Sequence, residues 1–490
     1  MKRILVLILC AAIAFSIFAC TINKPFANVA PIDDETSTHV TPSRDDTEED
    51  ALTPTDGNET NTPAEGNGTA TPADGEDADN TPAEQKDTAS ITLSDATTAL
   101  NQVSYTVDNA YHFSDEAFYQ KLSAFSSELY ELCAKDEQTN YAFSPLSVYM
   151  ALALLHSVGD DDVKKDVEDL LGMTAEDLAK TGDLFLSLIC DKNLGTEETV
   201  TKLDINNSIW LDNDLTAGQA ALDRLAEDYY CEAFRTPFSA DNRQANEDVR
   251  AYIKEKTKGL IDQDFGLTED TIFTLINTLY FKDSWGLSKG LQQEQRTFTT
   301  GDEEKTVDFL LGPYVNGLVH QTDVCTYFYA YTLGGYLLKF VLPNEGHTLA
   351  QAMTAVNLIA VNSDDKYNGD DKENRYYTRC IFPSFKVESE TPLKNIFQSN
   401  GYLEHAFFEY TSDLVDAPLA VSDVKHKAVL DVNKEGVEGA AVTIITVKYS
   451  SVDPDTRKKV YIDFVLDRPF GFLLTDPDGV VLFAGQITNP

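Results

Sequence analysis

The chain has 490 residues, 81 of them acidic and 38 basic, for a formal net charge of −43. Phosphate recognition needs a basic surface, so this balance argues against a nucleic-acid partner and for proteins or small molecules. Hydrophobic residues make up 42%, low for so long a globular chain, which implies a folded part diluted by a polar stretch. None of the seven cysteines forms a Cys-x-x-Cys pair or is spaced with histidines as a zinc ligand. That pattern argues against a disulfide scaffold or a zinc module, and most of them are expected as buried free thiols.

At the amino end Lys2 and Arg3 precede an apolar run from Ile4 to Ala19, too short for a membrane span, which reads as an export signal. The run closes on Ile17-Phe18-Ala19-Cys20, which resembles the lipobox of bacterial lipoproteins. The resemblance implies a signal peptide over residues 1–20 and lipidation of Cys20; simple secretion, with cleavage at a nearby small residue, is the alternative. From about 21 to 100 the composition shifts to Thr, Pro, Asp, Glu, Asn and Gly. The unit Thr53-Pro54-Thr55-Asp56-Gly57 recurs as Thr62-Pro63-Ala64-Glu65-Gly66, Thr71-Pro72-Ala73-Asp74-Gly75 and Thr81-Pro82-Ala83-Glu84. Such a segment cannot bury a core, and a disordered, self-repelling acidic linker is expected, a stalk for whatever follows.

Residues 101–490 suffice for one large single-core domain or two ordinary ones, and no Pro/Gly-rich break interrupts them. Helical periodicity runs from Asp115 to Cys133 and again from Pro145 to Val158. In the second helix Ser144 caps, Pro145 takes the first turn and Gly159 ends it. Leu146, Val148, Met150, Leu152, Leu154 and Leu155 make that helix apolar nearly all round, which predicts a buried central position. Strand patterns come later, at Ile272–Phe281, Tyr336–Leu342, Cys380–Val387 and Val460–Leu466. A final hairpin is expected from Phe470–Thr475 and Val480–Ala484 around the turn Asp476-Pro477-Asp478-Gly479, its strands covered on both faces. Helices early and strands late predict an α+β class with large mixed or antiparallel sheets.

There is no phosphate-binding loop, Gly-x-Gly-x-x-Gly or His-Glu-x-x-His. Asp364-Asp365-Lys366-Tyr367-Asn368-Gly369 matches a calcium loop poorly, because Lys366 takes a ligand position. It reads as a solvated loop, and Asp160-Asp161-Asp162 as an exposed turn. No catalytic residue, metal or cofactor is expected.

The most unusual stretch begins at His426. Ala428, Leu430 and Val432 alternate as in a strand, and Gly436 then offers a hinge. Beyond it Val437, Gly439, Ala441, Thr443, Ile445 and Val447 form one uncharged face of a β-prone segment, with Glu438 and Lys448 on the other. A polar, turn-rich run from Ser450 to Lys459 follows.

These residues and others in order resemble the serpin family across about 101–490. The matching motifs are Phe143-Ser144-Pro145-Leu146-Ser147, Asn277-Thr278-Leu279-Tyr280-Phe281-Lys282 with Trp285, Leu342-Pro343-Asn344, and Pro383-Ser384-Phe385-Lys386. They continue with Ser422-Asp423-Val424-Lys425-His426-Lys427, Asn433-Lys434-Glu435-Gly436, Asp467-Arg468-Pro469-Phe470 and Phe483-Ala484-Gly485. Val437, where the family usually has Thr or Ser, and Lys434, where acidic residues are common, depart from the pattern.

The resemblance implies a serpin fold and a suicide inhibitor of serine proteases, not an enzyme: a reactive loop near the carboxyl end is cut and enters the main sheet as a new strand. The implied hinge is Glu435, Gly436, Val437, Glu438, Gly439, Ala440 and Ala441. The family's spacing puts the cut bond at Ser450-Ser451, with cuts after Val447, Lys448 or Tyr449 still open. Tyr449 suits chymotrypsin-like and Val447 elastase-like targets. Ser144, Ser147, Asn277 and His426 match a polar cluster behind the opening of the main sheet, and Trp285 a packing position near its upper end. A monomer forming a covalent 1:1 complex with its target is expected, outside the cell and lipid-anchored at a bacterial surface or secreted. The alternative is a non-inhibitory serpin that serves as a binding module or surface structural lipoprotein.

Overall fold

The structure, a computed structural model, describes residues 84–87, 91–133, 139–193, 200–285, 290–301, 303–316, 319–355, 373–421, 424–438 and 457–490. Short strands β1 (Glu84–Asp87), β2 (Thr98–Ala99) and β3 (Ser104–Val107) come first. In helix α1 (Glu116–Cys133) Phe118, Leu122, Phe125 and Leu129 recur every three or four residues and are buried, while Asp115 accepts the N–H of Phe118 at 3.0 Å. After β4 (Tyr141–Phe143), helix α2 (Pro145–Val158) starts with Ser144 accepting the N–H of Ser147 at 3.2 Å. All of α2 except Ala151 is buried, as its all-round apolar sequence requires.

The acidic triplet expected as a turn instead opens helix α3 (Asp161–Leu171). Asp160 accepts the N–H of Val163 at 3.1 Å, and Asp161 and Asp162 occupy the first turn, where the helix dipole favours negative charge. Next come α4 (Ala175–Leu178), α5 (Thr181–Leu188), β5 (Cys190–Asn193), β6 (Val200–Asp212), α6 (Gln219–Asp228), β7 (Cys231–Thr236) and α7 (Asn242–Lys256).

The second half holds β8 (Phe273–Ser284), β9 (Gln292–Thr300), β10 (Glu303–Leu311), β11 (Val315–Asn316), β12 (His320–Gln321), β13 (Cys325–Tyr331), β14 (Leu337–Pro343) and α8 (Leu349–Ala355). It ends with β15 (Asn374–Pro383), β16 (Phe385–Pro392), α9 (Leu393–Ser399), β17 (Lys425–Val432), β18 (Gly436–Val437), β19 (Lys458–Val465), β20 (Phe470–Thr475) and β21 (Val481–Ile487). The single strand expected over Cys380–Val387 is two strands in different sheets. Ser384 turns the chain between them, donating its N–H to the carbonyl of Asp308 at 2.9 Å.

Among the described residues three large sheets result. The main sheet runs β16-β17-β18-β8-β6-β7-β2, with β5 also paired to β6; a second runs β12-β13-β14-β20-β21-β4; a third runs β11-β15-β10-β9, with β19 parallel to β15. Strands β20 and β21 are buried throughout, as expected of a hairpin covered on both faces. The principal core joins α2 to the inner face of the main sheet and to the second sheet. A smaller core of Trp210, Phe234, Tyr252, Ile253 and Ile276 lies on the outer face under α7. Ile91 and Leu93 pack against it, so the body's contacts run back beyond residue 101. Among the described residues Cys190, Cys231, Cys325 and Cys380 are buried thiols and Cys133 is half-buried; no cluster of metal-ligating side chains is present, and no helix is long and apolar enough to cross a membrane. The Asp364–Gly369 loop and Cys20 lie outside the described residues.

Candidate functional site

The site begins where β17 ends. Asn433 makes a tight turn: its Oδ1 accepts the N–H of Glu435 at 3.0 Å, and its own N–H donates to the carbonyl of Gly436 at 3.0 Å. The turn brings the two residues of β18 between the ends of β17 and β8, Val437 opposite Val432 on one side and Asp283 on the other, Gly436 opposite Ser284. Only glycine fits at 436, since a Cβ there would stand 2.1 Å from the carbonyl oxygen of Asp283. Val437 is fully buried, which recovers about 1.5–3 kcal/mol.

Side chains of β8 and its neighbours hold this turn. The Trp285 indole N–H donates to the carbonyl of Asn433 at 2.7 Å, and the N–H of Leu291 donates to that of Lys434 at 2.7 Å. Glu438 follows with a φ of 74°, a left-handed conformation that costs a non-glycine residue free energy. Its N–H donates to the carbonyl of Asp431, and its carboxylate accepts the Tyr280 hydroxyl at 2.8 Å with Lys282 Nζ 3.9 Å away. Burial raises the Glu438 carboxyl above the ordinary range, against the lowering by Tyr280 and Lys282. Behind the turn Asp283 accepts from Thr201 Oγ1 at 2.9 Å and from the N–H groups of Ser284 and Gly334 at 2.8 Å each; burial still lifts its carboxyl upward.

Below Val437 the arrangement changes. Among the described residues β8 and β17 pair with each other nowhere; the two residues of β18 are their link. A cavity of about 140 Å³ fills the interval, reaching from Ser144, Val148 and Leu152 of the α2 region to Ile253 and Phe265 near α7. Its lips are Thr274 to Leu279 on β8 and His426 to Val429 on β17. Lys427 ties β17 outward, its Nζ 3.3 Å from Glu390 and 4.4 Å from the Phe265 ring centroid.

The structure brings three of the four expected polar residues together on one lip. The backbone N–H of Ser144 donates to Nε2 of His426 at 2.8 Å, and Ser144 Oγ accepts from Ser147. Burial depresses the His426 pKa to about 4, so the ring is neutral, with its proton on Nδ1. Asn277 stands on the other lip: its Nδ2 donates to Asn207 Oδ1 at 2.8 Å, and its buried Oδ1 has no hydrogen-bond partner among the described residues. Of the expected hinge residues, Glu435, Gly436, Val437 and Glu438 make the turn and short strand just described. Gly439, Ala440, Ala441 and the expected reactive-bond residues Val447, Lys448, Tyr449, Ser450 and Ser451 lie outside the described residues. Asn207 and Tyr280 were not singled out from sequence. Asn207 left a signal, a lone amide in phase with Leu203, Ile205, Ile209 and Leu211 of β6, where an apolar side chain would be the rule.

The family described as Serpin (serine protease inhibitor) matches residues 120–490. Alpha-1-antiproteinase of Callosciurus caniceps is 27% identical over 392 residues, covering 75% of this chain and 88% of that protein. Among solved structures, the thermophilic serpin tengpin in its native state is similar with a TM-score of 0.63 at 23% identity, covering 78% of this chain and 96% of tengpin. Thyroxine-binding globulin in complex with thyroxine is similar with a TM-score of 0.61 at 22% identity, covering 77% of this chain and 100% of that one. At such identities the two structures speak for the fold alone.

Proposed function

We infer that this chain, which belongs to the serpin family, is an inhibitor consumed as it acts. A serine protease cuts the segment beyond the hinge, and the freed strand enters the interval between β8 and β17 before water can release the acyl-enzyme. The single observation that carries the reading is the position of Gly436 and Val437, already seated between two strands that, among the described residues, do not pair below them. The relative named alpha-1-antiproteinase supports it.

Bond-making chemistry belongs to the protease, whose own nucleophile forms the ester. This chain supplies the driving force. Ordering each inserted residue costs about 1–2 kcal/mol, and its backbone hydrogen bonds return on the order of 1 kcal/mol apiece. Those terms roughly cancel, so the surplus comes from apolar side chains entering the cavity, at about 1.5–3 kcal/mol for a large one. Small residues lead, at Gly439 to Ala441, and Ile445 and Val447 follow. That order suits entry from the hinge.

The reading includes cleavage at Ser450-Ser451, or after Val447, Lys448 or Tyr449, by elastase- or chymotrypsin-like proteases. It also places the protein outside the cell with Cys20 as a lipid anchor. Mixing the purified chain with elastase, chymotrypsin and trypsin and running a denaturing gel tests it. A covalent band of summed mass is expected, and mass spectrometry of the released carboxyl fragment identifies the bond. Cleaved chain with no such band for any of the enzymes overturns the inhibitor reading and leaves a binding module.

A further inference from the structure

One face of the third sheet gathers cations in a chain whose net charge is −43. Strands β15 and β19 run parallel, so Arg375 stands beside Lys459, Tyr377 beside Tyr461 and Arg379 beside Asp463. All six share a face, since the alternate positions Thr378, Cys380 and Phe464 are buried on the other. Tyr461 stacks on Tyr377 at 5.4 Å between ring centroids and meets the Tyr314 ring edge-on at 5.0 Å. Tyr314 and Tyr461 are 36% and 37% exposed. Tyrosine and arginine, held rigidly and half in solvent, are the side chains that dominate binding at protein interfaces.

The two ends of this ladder differ in charge. At one end Asp463 closes the row: it accepts Arg379 Nε at 2.6 Å and Nη2 at 2.9 Å, and the Tyr314 hydroxyl at 2.7 Å. At the other, Arg375 and Lys459 oppose each other as like charges, which repel across neighbouring strands. Both lean on the Tyr377 ring, 5.4 and 5.8 Å from its centroid, and Arg457 and Lys458 lead into Lys459. A carboxylate laid across that end would relieve the repulsion and meet two cations already placed on an aromatic platform.

The position of this end decides its occupant. Under the inhibitor reading a protease attacks the segment beyond the hinge, and the chain returns to the described residues at Arg457, two places before Lys459. From Ser451, the last of the expected bond residues, six residues reach Arg457, a span of at most about 20 Å. A protease held there lies within reach of the basic end of the ladder. We propose that Arg375 and Lys459, on their tyrosine platform, dock an acidic rim of the target protease's cleft. This rests on the inhibitor reading and adds to it the local charge of the partner. Such contacts act on encounter, raising the association rate at low salt, and leave the later capture untouched.

The test uses the full chain with the anionic and cationic isoforms of pancreatic elastase and of chymotrypsin, reading the second-order rate of inhibition, the stoichiometry and the urea midpoint. The patch variant combines Arg375→Gln with Lys459→Gln. A control combines Lys165→Gln with Arg243→Gln, two exposed cations on α3 and α7, and changes the net charge equally. The patch variant is expected to inhibit the anionic isoforms about fivefold or more slowly at low salt, the difference closing near 1 M, where the screening length is about 3 Å. Its rate with the cationic isoforms should not fall, its stoichiometry and midpoint should match the parent, and the control should match the parent throughout. If the parent forms no covalent complex with any of the four enzymes, the inhibitor reading fails and this proposal with it. If complexes form and the patch variant keeps the parent's rate with the anionic isoforms, loses as much with the cationic ones, or is equalled by the control, inhibition stands and the docking role is overturned. Binding of dextran sulfate that is lost in the patch variant while every protease rate holds would assign the face to a polysaccharide and overturn the proposal as well.

Discussion

The backbone N–H of Ser144 donates to Nε2 of His426 across 2.8 Å, which makes an uncharged imidazole part of the lip of the gap. Protonating the ring would remove that acceptor and place a charge in an apolar wall. Burial accordingly holds the His426 pKa near 4, below the ordinary value of 6.5. In the unfolded chain the ring takes its proton first. The stability contributed by the neutral ring is therefore complete above about pH 6.5 and is lost as the pH falls toward 4, on the order of 3 kcal/mol in all. Urea midpoints at pH 7.5 and 4.5 check this. His426→Ala should cost about 1–3 kcal/mol at pH 7.5, for the orphaned Ser144 N–H, and fall less steeply than the parent on acidification. Parallel pH profiles would refute the assignment.

How far the molecule was legible in its sequence depended on how cleanly each residue's surroundings matched its type. Helix α2 and the β20–β21 hairpin were plain because their side chains are apolar on every face and buried on every face. Strand β6 was not, because Asn207 and the outward Lys202, Asp204 and Asn206 dilute its alternation; the amide is buried for a polar network that a one-dimensional pattern does not show. The Asp160 triplet looked solvated for the same reason, since capping is a property of the backbone that follows it. Gly436 was legible as a conformational requirement, but its collision partner at Asp283 lies far away in the chain.

Gly436 supplies a steric prediction. A methyl group there would lie 2.1 Å from the Asp283 carbonyl oxygen and 2.9 Å from Ser284 Cα, both backbone atoms of the central strand β8. Gly436→Ala must push β18 out of the sheet or displace β8, at about 1–3 kcal/mol. The Asn433 turn should loosen with it, red-shifting Trp285 emission as the indole loses the Asn433 carbonyl. The stoichiometry of inhibition should rise several-fold. An unchanged spectrum with unchanged stoichiometry would show that the hinge tolerates a side chain.

Tyr280 and Glu438 make a second pair whose value can be measured. The hydroxyl donates to a half-buried carboxylate at 2.8 Å, and such a bond to a charged group contributes about 1.5–3 kcal/mol when shielded. Tyr280→Phe should lower the urea midpoint of the uncut chain by about 1–2 kcal/mol, the smaller figure reflecting partial exposure. Glu438→Gln, which keeps an acceptor, should cost less than Glu438→Ala. The double variant Tyr280→Phe, Glu438→Ala should cost no more than the larger single change; fully additive losses would mean the two residues act separately.

The last prediction concerns the segment ahead of the body. Asp248 of α7 accepts the N–H of Ser94 at 3.0 Å and the hydroxyls of Ser94 and Thr97 at 2.6 Å each, while Thr98 and Ala99 of β2 pair with β7. Ile91 and Leu93 at the same time cover the small core under α7. Three donors from this segment converge on one buried carboxylate and bind it to α7, whose Ile253 lines the gap, so its loss should be felt at α7. Asp248→Ala should lower the urea midpoint by about 1.5–3 kcal/mol and speed proteolytic cutting between residues 91 and 101, with Asp248→Asn intermediate because it keeps one acceptor. Deleting residues 1–100 should produce a loss at least as large, and adding Asp248→Ala to that deletion should change little further. A deletion variant as stable as the full chain would show that these contacts contribute nothing to holding α7 in place.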